Sequence, residues 1–217
     1  MRIYAAIHDA DHQVYPIEDI GRPPAWMKVK VILDELRRGE HEFIMWIDAD
    51  ACFVRGDCDV LNLVQQDKDL YLVRQHIRVA LVPPGGLFLF AERPNTGVML
   101  IRNCAWSLEL FEEIWSRTQY IGHYWWEQAA FMDLIGYHYE ITGGRCENAF
   151  QEERLARIEW ISGEWNAIPT LVPGHPDAMR ADPIIIHFAG MPNDQRSREM
   201  PSQIFGSIPL GRGPQAP

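Results

Sequence analysis

The chain has 217 residues, 47% of them hydrophobic and 23% charged, with a formal net charge of -10 at pH 7. That length suits one domain with a full core, and the composition is that of an ordinary globular protein. The acidic balance argues against nucleic acid and anionic membranes as partners, so an anionic small ligand would need a metal or a few placed cations.

No apolar stretch approaches the roughly 20 residues of a membrane span. The opening Met1-Arg2-Ile3-Tyr4-Ala5-Ala6 lacks the layout of a signal peptide. Cys52, Cys58, Cys104 and Cys146 have neither CxxC spacing nor the density of a disulfide scaffold. They read as reduced thiols in a soluble protein of cytoplasmic type. Eight tryptophans are many for this length. Most are expected in the core, with some free to stack on flat ligands.

In chain order, Arg2–Ile7 reads as a short strand that runs into the polar stretch His8-Asp9-Ala10-Asp11-His12. Pro23-Pro24 then opens a helix with apolar positions Trp26, Val29, Ile32, Leu33 and Leu36, and Gly39 closes it. Phe43–Ile47 is apolar at every position, which predicts a strand covered on both faces, as in a mostly parallel sheet. Asp59 is placed to cap a short helix through Val64. Residues 70–73, 87–90 and 97–101 read as further strands, with the loop Pro83-Pro84-Gly85-Gly86 between the first two. Asn103 is expected to cap a helix carrying Trp106, Leu110, Ile114 and Trp115. A second helix is expected over residues 124–135, and a late strand over 184–186 ends in His187-Phe188-Ala189-Gly190. The domain is read as residues 1–205, with a flexible tail over 206–217.

Strands alternating with helices predict an α/β architecture: a mostly parallel central sheet flanked by helices. Ligands in such folds sit at the carboxyl ends of the strands. Asp48-Ala49-Asp50 and His187 are strand exits. Asn95-Thr96-Gly97 reads as a turn entering a strand, which implies a reversed chain direction there.

Residues i and i+2 of an extended segment point the same way, so Asp48 and Asp50 can present two carboxylates to one point. Two carboxylates closing a run of five apolar residues call for a compensating cation. Oxygen ligands favour Mg²⁺ or Mn²⁺, and one imidazole tilts the choice toward Mn²⁺. His187, with Gly190 leaving room for close backbone approach, is the candidate third ligand. The same tripeptide occurs at Asp9-Ala10-Asp11, between His8 and His12, and is read as a polar loop. Lys28 could face a phosphate. Trp125-Trp126-Glu127-Gln128 sets a carboxylate and an amide beside two aromatic faces, a composition suited to a sugar-contacting wall.

Trp26-x-Lys28, Met45-Trp46-Ile47-Asp48-Ala49-Asp50-Ala51, Asn95-Thr96-Gly97-Val98-Met99-Leu100-Ile101-Arg102-Asn103, Trp125-Trp126-Glu127-Gln128 and His187-Phe188-Ala189-Gly190 stand in one order. That order, over about residues 26 to 190, resembles glycosyltransferase family 34, the galactosyl-, mannosyl- and xylosyltransferases. The resemblance implies a GT-A-like (Rossmann-type) fold and a metal-dependent transferase that retains configuration. It implies Asp48, Asp50 and His187 as metal ligands, and Lys28, Ala49, Asn95, Thr96, Gly97 and Gly190 around the donor. Glu127 and Gln128 would lie near the reacting carbon and the acceptor. The donor would be a nucleoside-diphosphate sugar, a UDP-sugar ahead of a GDP-sugar, and the acceptor a glycan or glycoconjugate. Members of that family carry a nucleotide-binding strand and helix before the segment that Tyr4–His8 resembles. Either the N-terminus is abbreviated or Arg2–Ile7 serves as that strand. Typical eukaryotic members also carry an N-terminal membrane anchor, and none is read here.

Two alternatives stand beside this reading. A nucleotidyltransferase that forms nucleotide-sugars would be expected to carry a Gly-rich, basic N-terminal loop, which residues 1–21 lack. A carbohydrate-binding module would use the tryptophans without metal or nucleotide. Asp48 and Asp50 are too close in the chain to flank a sugar from two sides, which argues against a glycosidase.

Overall fold

Phe43–Ile47 forms the expected strand, β1, and its alternation explains why every residue is apolar. Ile44 and Trp46 face one core cluster, with Trp26, Ile32, Leu72 and Met99. Phe43, Met45 and Ile47 face a second, with Tyr71, Val73, Leu100 and Ile185. The strand is thus covered on both faces. The computed structural model describes residues 1–82, 87–138, 148–169, 175–177 and 182–206, with the side chains of 78–82, 87–89 and 202–206 left aside.

The sheet direction differs from expectation. Four strands lie in the order β1, β4 (Leu87–Arg102), β3 (Leu70–Val82) and β5 (Ile158–Trp160). β4 is antiparallel to both β1 and β3, and only β3 with β5 is parallel among the described strands. The sheet is mixed rather than mostly parallel. The cause is local: β3 and β4 follow one another across a short connection, and a short connection joins antiparallel strands. That connection, the expected loop at 83–86, lies outside the described residues. Both strands run well past the short segments read from the sequence.

A second, two-stranded sheet pairs β2 (Ala51–Phe53) antiparallel with β6 (Ile185–His187). Helices cover the face of the first cluster. α2 spans Met27–Arg38 after a single 3-10 turn at Pro24–Trp26. Proline fits that start because the first N–H groups of a helix have no internal partner. Gly39 ends α2 at φ 68, the left-handed conformation glycine adopts without cost. Asp59 caps the 3-10 turn Val60–Leu63 by accepting from the Leu61 N–H, as expected.

Other expectations change. Arg2–Ile7 is a helix, α1, and not a strand. Ala5 and Ala6 are strong helix formers, and one turn suffices to bury Tyr4 and Ala5 together. Arg2–Ile7 therefore does not serve as a first sheet strand. α3 spans Ala105–Ser116 with Cys104, not Asn103, at its N-cap, where the thiol lies 3.5 Å from Ser107 Oγ. α4 spans Trp126–Ile135 and α5 Glu152–Leu155. α6, Asn193–Gly206, is a helix that the sequence pattern does not predict; residues 207–217, most of the expected tail, lie outside the described residues. No helix among the described residues is long and apolar enough to cross a membrane.

Candidate metal and ligand site

The site begins with an irregularity in β4. Leu72 of β3 pairs with Met99, but the next residue, Val73, pairs with Asn95. Thr96, Gly97 and Val98 therefore bulge out of that ladder, and bulges re-aim side chains. Asn95-Thr96-Gly97 thus runs into a bulge inside one continuous strand rather than forming a turn that enters one. Its direction is reversed relative to β1, as read. On its other edge Val98 pairs with Ile47, and the Gly97 carbonyl accepts from the Asp48 N–H at 2.8 Å. The bulge thus clamps the residue where β1 ends.

From Asp48 the chain makes a tight turn, with the Ala51 N–H donating to the Asp48 carbonyl, and enters β2. Ala49 points outward, exposed. Pairing of β2 with β6 sets Ala51 opposite His187, and the Phe188 N–H donates to the Asp50 carbonyl at 2.9 Å. His187, distant in sequence, is thereby delivered to the two aspartates. Its Nε2 lies 3.3 Å from Asp50 Oδ1 and 4.0 Å from Asp48 Oδ2. Each of the three residues offers a ligand atom, all within 4.8 Å of one another. Gly97 makes room: a Cβ there would stand 2.1 Å from His187 Cε1. Gly190 is required differently. It turns the chain after β6 at φ 73, and a Cβ there would meet nothing within 4 Å.

Charges inside the site are held in register. Lys28 is 6% exposed, and its Nζ lies 3.0 Å from Asp48 Oδ1, 2.9 Å from Glu127 Oε1 and 3.1 Å from the Thr96 carbonyl. Burial is the strongest single influence and favours a neutral amine, but Asp48 and Glu127 together outweigh it and raise the pKa. Asp48 Oδ1 also accepts from Trp46 Nε1 at 2.7 Å. Asp50 Oδ2 accepts from Arg196 Nη1 of α6 at 2.8 Å. Burial works against the Asp50 charge, but His187 and Arg196 outweigh it and hold its carboxyl at about 2.

Glu127 and Gln128 enter from the start of α4. Thr96 donates its N–H to Gln128 Oε1 at 3.1 Å and its hydroxyl to Glu127 Oε1 at 3.2 Å. Glu127 Oε2 is buried and has no hydrogen-bond partner among the described residues. An orphaned buried carboxylate oxygen is costly, so this one has room for a donor group. Just before it, Trp126 sits at φ 43, a strained backbone region for a tryptophan. Tyr124 and Trp126 are the exposed aromatics at this rim, 73% and 43% accessible. One open cleft is lined by Lys28, Asp48, Thr96, Glu127, His187 and Arg196.

Two carboxylates and an imidazole suit a divalent cation of the Mg²⁺ or Mn²⁺ kind. Three carboxylates (Asp48, Asp50, Glu127) face two cations (Lys28, Arg196), which leaves negative charge for an ion to meet. Every expected site residue thus lies in or beside the cluster. Three residues outside the expected set touch it: Arg196 through Asp50, Asn166 through an oxygen 2.9 Å from His187 Nδ1, and Gln75 through Asn95. Neither Trp165-Asn166-Ala167 nor the polar helix around Arg196 carries a motif, so no local signal could have found them.

No protein-family model matches the chain. It is 31% identical over 118 residues to Glycosyltransferase 6 of Arabidopsis thaliana, and 31% identical over 97 residues to a probable glycosyltransferase 6 of Oryza sativa subsp. japonica. These matches cover 50% and 42% of this chain but 24% and 18% of those proteins, so the chain spans a quarter or less of the relatives it matches. Among solved structures, a glycosyltransferase involved in the glycosylation of the major capsid of PBCV-1 is similar at a TM-score of 0.55 and 16% identity. That likeness covers 91% of this chain and 88% of that one. The chain has the GT-A glycosyltransferase fold, with sequence similarity to glycosyltransferases over about half its length.

Proposed function

We propose that this chain is a metal-dependent glycosyltransferase of the family 34 kind. It moves a sugar from a nucleoside-diphosphate donor, a UDP-sugar in first place, to a hydroxyl of a glycan or glycoconjugate, with retention of configuration. Residues 1–205 form its single domain. The observation that carries this is the meeting of Asp48, Asp50 and His187 beside the unpartnered Glu127 Oε2.

Asp48, Asp50 and His187 would hold the ion, Mn²⁺ ahead of Mg²⁺ because of the imidazole. A bound divalent ion neutralises the diphosphate and makes it a better leaving group. Arg196, at the mouth of the cluster, adds a positive charge for the phosphates. Lys28 fixes Asp48 and Glu127 relative to one another, so the ion-binding end and the sugar end of the site share one rigid pin. Glu127 Oε2 would accept a hydrogen bond from a sugar hydroxyl. As the bond from the anomeric carbon to the diphosphate breaks, the acceptor hydroxyl attacks from the same face. Its proton passes to the departing phosphate oxygen, which balances the transfer. The protein supplies position and electrostatic stabilisation. Tyr124 and Trp126 offer the acceptor two flat faces at the rim.

The test is a panel of nucleotide-sugars assayed for Mn²⁺-dependent donor hydrolysis. One donor should turn over with Mn²⁺, and chelation should stop it. Asp50→Ala should lower that hydrolysis about 100- to 1000-fold in a folded protein, and full activity in that variant refutes the reading. Calorimetry separates the alternatives. A carbohydrate-binding module would bind glycan with neither nucleotide nor Mn²⁺.

A further inference from the structure

An imidazole has two nitrogens, and the aspartates of this site face only one of them. The buried amides behind His187 decide which atom that is. The Gly97 N–H can only donate, and it donates to Asn95 Oδ1 at 2.8 Å. That fixes the atom as the carbonyl oxygen of the amide. Asn95 Nδ2 therefore donates, to Gln75 Oε1 at 2.6 Å. Gln75 Nε2 in turn donates to the backbone carbonyl of Asn166 at 2.8 Å, an atom that can only accept. The chain of amides starts on a backbone donor and ends on a backbone acceptor. Neither amide can be flipped without losing bonds at both of its ends.

The same oxygen, Asn95 Oδ1, also accepts from Asn166 Nδ2 at 3.0 Å. The other atom of the Asn166 amide is therefore its oxygen, and it lies 2.9 Å from His187 Nδ1. An oxygen there can only accept, so Nδ1 carries a hydrogen. Nε2 is left as the atom that faces Asp50 Oδ1 and Asp48 Oδ2. All four residues are deeply buried: Gln75 3%, Asn95 3%, Asn166 1% and His187 3% exposed. Water is thus in no position to take over either bond.

We propose that Asn166 is a positioning residue for the metal site: it holds His187 with hydrogen on Nδ1, so that Nε2 is the nitrogen offered to a divalent cation between Asp48 and Asp50. The proposal rests on the metal reading above and names the residue that would tune it. Gln75 and Asn95 act one step further back, by fixing the direction of the Asn166 amide. The device is anchored at the bulge of β4, so the strand irregularity that clamps Asp48 also sets the polarity of the relay.

The experiment uses the whole chain and Mn²⁺ alone, with free Mn²⁺ followed by electron paramagnetic resonance. Removing a hydrogen-bond partner behind a metal-bound histidine typically weakens metal binding about 10- to 100-fold. Asn166→Ala should do so, with an unchanged far-ultraviolet circular dichroism spectrum. Asn166→Asp keeps an oxygen for the Nδ1 hydrogen but loses the donor to Asn95 Oδ1, and should bind Mn²⁺ more tightly than Asn166→Ala and less tightly than wild type. Long-range proton–nitrogen spectra of the metal-free protein in alkaline buffer read the ring directly. Wild type should show a single form with hydrogen on Nδ1, and Asn166→Ala a mixture of both forms. Equal Mn²⁺ affinity in wild type and Asn166→Ala overturns the proposal, as does a wild-type ring with hydrogen on Nε2. If wild type binds no Mn²⁺, the metal reading itself fails and takes the proposed role with it, while the spectra still report whether the relay sets the ring.

Discussion

Asp-Ala-Asp occurs twice in this chain, and the two copies have opposite fates. Asp9-Ala10-Asp11 has the richer neighbourhood in sequence, with a histidine on either side. In the structure all three of its residues are exposed, and its neighbours are turned to other work. His8 Nε2 lies 3.0 Å from the Gly56 carbonyl, and Asp11 lies 3.6 Å from His41 at the surface. Asp48-Ala49-Asp50 has no histidine nearby in sequence, yet it gains His187 from a strand more than a hundred residues on. The difference teaches that a ligand cluster is made by strand pairing, not by local density. Adjacent residues on a loop diverge, whereas antiparallel pairing of β2 with β6 sets Ala51 opposite His187 and so fixes the distance.

The sharpest way to break this comparison is to remove one carboxylate from each copy. Asp50→Ala should eliminate Mn²⁺ binding and lower donor turnover about 100- to 1000-fold, the scale of several kcal/mol of charge stabilisation. Asp11→Ala should leave both unchanged, and its effect on stability should stay within about 0.5 kcal/mol. A metal titration and a donor-hydrolysis assay on the two variants decide it. Loss of Mn²⁺ binding in Asp11→Ala would mean that the ligands had been assigned to the wrong copy.

The second difference is the buried cation. Lys28 lies against Asp48 and Glu127, while the N-terminal copy has no counterpart among the described residues. Lys28→Met should leave a buried carboxylate uncompensated, which costs about 3–5 kcal/mol. Because Asp48 keeps 27% of its side chain exposed, the lower end of that range is expected. Thermal melts should show the loss, and saturating Mn²⁺ should recover part of it by supplying positive charge beside Asp48. A variant as stable as wild type would mean that the Lys28 pairs are incidental.

These contrasts show what could be read from the residues alone. Phe43–Ile47 and the helix after Pro23-Pro24 were legible because one period runs unbroken through each. Asp48, Asp50 and His187 were legible because polar residues closed apolar strands. Strand direction was not, because an apolar run reports that both faces are covered and says nothing about which way a neighbour runs. The nature of Arg2–Ile7 was not, because six residues of mixed propensity are decided by what they pack against, here Phe53 under the Tyr4 ring. The bulge at residues 96–98 and the amides of Gln75 and Asn166 were invisible for a stronger reason. Their roles exist only in pairings between segments far apart in sequence.

Gly97→Ala tests the bulge with a smaller change. The added methyl would meet the His187 ring at 2.1 Å, and the ring must move. Overpacking of this kind costs about 1–3 kcal/mol. The larger signature should be specific: weaker Mn²⁺ binding than in wild type, with no change at the N-terminal copy. Unchanged Mn²⁺ affinity would show that His187 does not need its observed place.

The smallest effect expected of a buried side chain lies on the N-terminal side, at the anchor that holds α1. Tyr4 stacks on Phe53 with ring centroids 3.7 Å apart. Its hydroxyl donates to the Cys58 carbonyl and accepts from the Val60 N–H, both at 2.9 Å. Burial, the main cause, pushes its pKa up from 10.0 to about 12, with the Val60 N–H opposing and Asp59 assisting. A group whose pKa is higher in the folded state favours folding while it stays protonated. Its contribution is therefore whole below pH 10 and is lost as the pH climbs through about 12. Tyr4→Phe removes the hydroxyl, and should cost about 1 kcal/mol at neutral pH. The gap between wild type and Tyr4→Phe should then close in alkali, as read by denaturant unfolding at a series of pH values. Tyr15 is also raised to about 12 and titrates in both proteins, so the difference between them isolates Tyr4. Mn²⁺ affinity should be the same in both at neutral pH, since α1 supplies no ligand. A Tyr4→Phe variant with weakened Mn²⁺ binding would show that the α1 anchor supports the metal site.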